Sequence, residues 1–130
     1  MLRKYSNSVK IRYPPSEKRL IDVLESNISR LIEKVPSIRK IILFGSYSRN
    51  KAHFGSDVDL LFIVEDRKQD DFEKIYELLF EFSLEFEWAP LIIAEKRFKA
   101  LKKERHPFLE KICRDGRILY DADKNKRKGN

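Results

Sequence analysis

Gly45-Ser46-Tyr47-Ser48-Arg49-Asn50-Lys51-Ala52-His53-Phe54-Gly55-Ser56-Asp57-Val58-Asp59-Leu60 is the stretch that decides how this chain is read. An apolar run, Ile41-Ile42-Leu43-Phe44, leads into it, and a second, Leu60-Leu61-Phe62-Ile63-Val64, leads out. Unbroken apolar runs of this length belong to strands covered on both faces, so strands are predicted over residues 38–44 and 57–64. In the second strand Asp57 and Asp59 stand two apart, and a strand turns positions i and i+2 to one face. Two carboxylates side by side on an apolar element repel, and burying either alone is costly. A divalent cation relieves both problems, and magnesium prefers hard oxygen ligands of this kind. An isolated Asp-x-Asp is equally well explained by a turn cap beside a solvated acid, so the upstream residues decide.

Upstream, Gly45-Ser46 lies where a buried strand gives way to a turn and a predicted helical segment over residues 47–53. Free backbone N–H groups collect at such a junction and favour an anion, phosphate above all. Glycine lets the backbone approach the ligand, and the Ser46 hydroxyl offers one more donor. The usual phosphate loop of Gly, four residues, Gly-Lys-Ser/Thr is absent. Arg49 and Lys51 could meet triphosphate oxygens, one as a planar fork and one as a point charge, although exposed helix charges account for them equally well.

Outward from this centre, Ser16 caps a predicted helix whose Leu20, Val23, Leu24, Ile28, Leu31, Ile32 and Val35 share a face. Phe72, Ile75, Tyr76, Leu79 and Phe82 predict a helix from Asp70 to about Glu81. From Phe82 the period changes to two through Leu84, Phe86 and Trp88, predicting a third strand that runs on to Ile93. Trp88 then opposes the acids and belongs to the core. Residues 95–103 and 107–114 read as helices, with His106-Pro107 opening the second, Cys113 on its apolar face and Gly116 closing it. Residues 117–120 predict a short last strand. His53 and His106 have no second ligand at metal spacing.

Composition sets the outer limits. The chain has 130 residues, 42% hydrophobic and 38% charged, which fits one globular domain. Its first residues lack a secretory apolar stretch, no run is long enough to span a bilayer, and the single cysteine excludes an internal disulfide; the cytoplasm is the expected location. The net charge of +7 is uneven. Residues 1–15 carry Arg3, Lys4, Lys10 and Arg12 with no acid, and the last ten carry four cations against Asp121 and Asp123, so residues 16–120 are almost balanced. Pro14-Pro15 ends the first segment. The expected organisation is a basic arm at 1–15, a domain at 16–120 and a basic disordered tail at 121–130. The excess charge is that of solvated ends, with nucleic acid only a weak partner.

Taken together, Gly-Ser, ten residues, Asp-x-Asp and the run Ser56-Asp57-Val58-Asp59-Leu60 resemble the DNA polymerase β superfamily of nucleotidyltransferases. The short chain is similar to its minimal nucleotidyltransferase group, most closely over residues 38–66 and more loosely over 84–120. This resemblance implies an α/β (α+β) fold, a small mixed β-sheet with helices packed mainly on one face, leaving the other for metal and nucleotide. It implies a nucleoside triphosphate on Gly45, Ser46, Arg49, Lys51 and Ser56, and two magnesium ions on Asp57, Asp59 and a third acid from the next strand. Glu87 is the preferred third acid and Glu85 the alternative; both depart from the family's commoner aspartate, as Asn50 departs from its glycine. The implied activity is transfer of a nucleoside monophosphate, AMP from ATP, to an acceptor hydroxyl by a two-metal mechanism. Minimal nucleotidyltransferases also pair with HEPN proteins as antitoxins to toxins, in some pairs by attaching AMP to a partner tyrosine. Two other readings are a catalytically inactive module that binds nucleotide or a partner, favoured by the substituted third acid, and a nucleic-acid adaptor, favoured by the basic ends.

Overall fold

The computed structural model describes residues 16–48 and 57–124. Arg49, Lys51, His53 and Ser56, the arm at 1–15 and residues 125–130 lie outside the described residues. The first helix, α1 (Glu17–Lys34), begins where Ser16 accepts a hydrogen bond from the Arg19 N–H at 3.1 Å, as an N-cap should. Strand β1 (Ile38–Phe44) follows, then a short 3-10 turn at Gly45–Tyr47, and β2 (Asp57–Val64). Helix α2 (Asp71–Phe82), β3 (Glu87–Ala94), α3 (Glu95–Lys103), α4 (Pro107–Asp115) and β4 (Arg117–Asp121) complete the chain. His106 caps α4 by accepting the Phe108 N–H on Nδ1. Among the described residues no helix is long and apolar enough to cross a membrane.

The four strands form one mixed sheet in the order β3-β2-β1-β4. β1 runs antiparallel to both β2 and β4, while β2 and β3 are parallel, joined through α2. Parallel neighbours need such a crossover, which a two-residue hairpin cannot supply. Strand alternation sends Val58, Leu60, Phe62 and Val64 to one face and Asp57, Asp59, Leu61 and Ile63 to the other. On the first face α1 and α2, the two longest helices, close the larger core, with Leu20, Leu24, Leu31, Ile75, Leu79 and Trp88 among its buried side chains. A smaller core on the second face joins Ile42, Leu61 and Ile63 to Phe98 of α3 and Leu109 and Ile112 of α4. Covering on both faces is why β1 and β2 read as continuous apolar runs.

Some expectations need correction. The third strand begins at Glu87, five residues later than the period-two pattern from Phe82 implied. Phe82 closes α2, Leu84 is 80% exposed and so breaks the alternation, and the intervening turn is fixed by the Trp88 indole donating to the Ser83 carbonyl at 3.0 Å. Cys113 is exposed rather than a core residue, because the apolar stripe of α4 passes through Leu109 and Ile112. The segment set aside as a tail from residue 121 overlaps the fold: Asp121 ends β4 opposite Lys40, and Asp123 accepts from Arg39 at 2.7 Å. Gly116 does cap α4, its N–H donating to the Ile112 carbonyl at 2.7 Å. Its backbone is extended, and glycine is needed there for a different reason: a Cβ would overlap that same carbonyl and stand 2.7 Å from Ile42 Cγ2.

The strand boundary and the core give a paired prediction. Leu60→Ala, at a fully buried site, should cost about 2–5 kcal/mol in urea unfolding. Leu84→Ala should stay within about 0.5 kcal/mol, whereas a sheet position there would cost several times more.

Candidate active site

Antiparallel pairing of β1 with β2 sets Phe44 opposite Asp59, so the residue after Phe44 comes against the aspartate side chain. That residue is Gly45, with φ +77°, in the left-handed region that disfavours any side chain. A Cβ at this position would overlap Asp59 Oδ2 and lie 3.1 Å from Asp59 Cγ. Only glycine lets turn and carboxylate share the space. Ser48 then pins the turn, its hydroxyl donating to the Gly45 carbonyl at 2.9 Å. Tyr47 anchors it from the far side: buried in the larger core, it packs edge-on to Phe86 with ring centroids 6.1 Å apart. Burial there holds the Tyr47 phenol above its usual range.

Asp57 is exposed at the start of β2, and Asp59 is partly buried one alternation further in. Burial, and after it the neighbouring Asp57 charge, raises the Asp59 carboxyl above its ordinary value of 3.8. Such a pair offers hard oxygen donors and gains from a cation, so its chemistry fits magnesium. Glu87 sits opposite Asp57 in the parallel register and faces the same side of the sheet, exposed. Asp59 has Ala89 opposite it on β3, so the third carboxylate neighbours Asp57 alone. Among the described residues no three acidic, histidine or cysteine side chains converge as a metal site. Glu85 is drawn elsewhere: its Oε1 accepts from Arg19 Nε at 2.7 Å, and that hydrogen bond lowers its carboxyl below the usual range.

Gly45, Ser46 and Asp59 together line a cleft of about 310 Å³. Its other walls are Phe44 and four residues of α4: Phe108, Lys111, Ile112 and Asp115. Of those four only Ile112 was read from the sequence, as part of the helix's apolar face; Phe108, Lys111 and Asp115 were not singled out. Their one signal is a spacing of three and four that keeps Lys111 and Asp115 beside the apolar stripe. A hollow of about 180 Å³ at the opposite end of the strands is crossed by ion pairs, Arg39 with Glu95 and Lys40 with Asp121. Most of its charges are met by ion pairs, whereas Asp59 and Lys111 of the cleft are in none among the described residues.

Comparison with known proteins identifies the family and the fold. The family described as polymerase beta, nucleotidyltransferase matches residues 26–125. Two Methanocaldococcus jannaschii proteins, both provisionally named protein adenylyltransferases, are similar to the chain. One is 32% identical over 113 residues, covering 82% of this chain and 76% of the relative. The other is 36% identical over 83 residues, covering 64% and 79%. Among solved structures, a chain from a toxin–antitoxin crystallised with AMP-PNP superposes with a TM-score of 0.56 at 19% identity, over 79% of this chain and 77% of that one. At that identity it speaks for the fold.

Two stability measurements probe the site without a ligand. Gly45→Ala should cost about 1–3 kcal/mol for its backbone strain alone, and more from the overlap with Asp59. Asp59→Ala should relieve the overlap and not the strain, giving a coupling of about 0.5–3 kcal/mol in a double-mutant cycle. Asp59 also makes stability depend on pH. With its folded value raised above its unfolded one, the native state holds more protons between the two, so stability falls as pH rises through that window and stays lower above it. Asp59→Asn should therefore melt higher than wild type at neutral pH, and the gain should vanish below pH 3.8.

Proposed function

The chain belongs to the polymerase β nucleotidyltransferase family, and from that premise we propose that it transfers AMP from ATP to a hydroxyl on an external acceptor protein. The observation that carries this reading is the close approach of Gly45 to Asp59, which brings a phosphate-type turn against the inner carboxylate of the pair in one cleft. The triphosphate lies on Gly45 and Ser46, with Arg49, Lys51 and Ser56 contributing from the segment that links the turn to β2. Asp57 and Asp59 would hold magnesium, with Glu87 as the candidate third ligand. When bound, the metal supplies charge to the leaving pyrophosphate and acidifies the acceptor hydroxyl. The acceptor oxygen bonds to the α-phosphorus as the bond to the β-phosphate oxygen breaks; pyrophosphate leaves and the hydroxyl proton passes to solvent. The reaction belongs in the cytoplasm, where ATP is plentiful.

The acceptor comes from outside, because the described fold is spent on one sheet and its four helices. A HEPN-type toxin is the partner we favour, with this chain as the minimal nucleotidyltransferase that neutralises it. The names of the archaeal relatives, which concern protein adenylylation, support a protein as the acceptor. A second reading, binding of nucleotide or partner without transfer, draws on the placement of Glu87 beside Asp57 and away from Asp59.

Incubation with labelled ATP, magnesium and a HEPN-type partner protein separates the two. Wild type should label the acceptor, and Asp57→Ala or Asp59→Ala should slow labelling on the order of 10²–10³-fold. Glu87→Gln should do the same if it is the third ligand. ATP binding without any product, unchanged by Glu87→Gln, would establish the binding module instead.

A further inference from the structure

Helix α4 gives the cleft a second wall opposite the Gly45–Ser46 turn, and its chemistry is divided along its length. Phe108, near the start, is 45% exposed although aromatic, and it meets Phe44 edge-on with centroids 5.8 Å apart and planes at 87°. Phe108 is thereby braced by Phe44 while part of its surface stays exposed beside the cleft. A flat heteroaromatic base stacks on such a surface regardless of its hydrogen-bonding edge.

One turn further on stands Lys111. Around the cleft the described charges are Asp59, Asp115 and Lys111, so Lys111 is the one cation there among the described residues. Asp115, four residues ahead, is paired with Arg114 at 3.2 Å and not with Lys111. Among the described residues Lys111 has no ion pair at all. A lysine left unpaired beside two carboxylates and next to an anion-binding turn is placed for a polyphosphate, which a compact ammonium meets as a point charge. The cleft, at about 310 Å³, is at the small end of ligand pockets, suited to a ligand held partly in the open.

We propose that α4 is a binding wall for the nucleotide: Lys111 binds the polyphosphate, and Phe108, braced by Phe44, stacks the base. The assignment rests on the nucleotide reading above and adds to it the residues that sense each half of the ligand. Splitting the ligand tests it. Titrations of wild type with ATP, inorganic tripolyphosphate and adenosine are compared with those of Lys111→Met and Phe108→Leu, with thermal melts verifying the fold. Lys111→Met should weaken ATP and tripolyphosphate about tenfold and leave adenosine unchanged; Lys111→Arg should restore most of the loss. Phe108→Leu should weaken ATP and adenosine by a similar factor and spare tripolyphosphate, with Phe108→Tyr restoring it. If wild type binds ATP and both variants bind it equally well, α4 is no nucleotide wall and the proposal falls while the nucleotide reading stands. If wild type binds neither ATP nor tripolyphosphate, both fall together.

Discussion

The close approach of Gly45 to Asp59 is the contact on which the rest of this molecule turns. Residues 45 and 59 meet because β1 and β2 run antiparallel with Phe44 opposite Asp59, and the approach is open only to a residue without a Cβ. Everything else at this end of the sheet follows from that pairing. Tyr47 is carried across to the larger core, Ser46 is left facing the cleft, and α4 is laid over the opening by the β1–β4 pairing that begins at Leu43 and Arg117.

Electrostatics pulls the same region in the other direction. Hydrophobic burial assembles the sheet, yet its second strand opens with two acids, and the inner one is held against its ordinary ionisation by burial and by its neighbour. A fold optimised for stability alone would place an apolar residue there. Retaining Asp59 costs the free protein stability that an ion would return, because whatever binds only the native state stabilises it. The parallel β2–β3 pairing adds Glu87 alongside Asp57, so negative charge accumulates along the rim while Trp88 and Val58, in the opposite phase, knit the two strands into the core below.

Much of this was legible in the residues themselves. The apolar runs at 41–44 and 60–64 marked β1 and β2 because sandwiched strands have no polar face, and Ser16 marked the start of α1 because an N-cap has specific chemistry. The Gly-Ser and Asp-x-Asp pieces could be joined because their spacing follows the chain. Legibility failed where the outcome depended on packing between distant elements. Period two from Phe82 was an accident of a helix end and a turn, and only the exposure of Leu84 exposes it. Glu85 and Glu87 are equivalent by phase, and what separates them is Arg19, sixty-six residues away on another element. The walls contributed by Phe108, Lys111 and Asp115 were hidden for the same reason: helical spacing shows which face a helix has, and not what that face looks onto.

The two cores differ greatly in size, and that difference bears on how such a molecule can change over evolutionary time. Among the described residues eighteen buried side chains lock α1 and α2 to the sheet face behind the acids, whereas six hold α3 and α4 to the other. A substitution in the larger core disturbs many partners at once and moves the carboxylates with them. A substitution on α4 disturbs few, and of its cleft-facing positions 111 is exposed while 108 packs mainly on Phe44. The scaffold that holds the reactive end is thus insulated from the wall that surrounds it. Descendants of this fold can drift in what they accept without first surrendering the ability to stay folded.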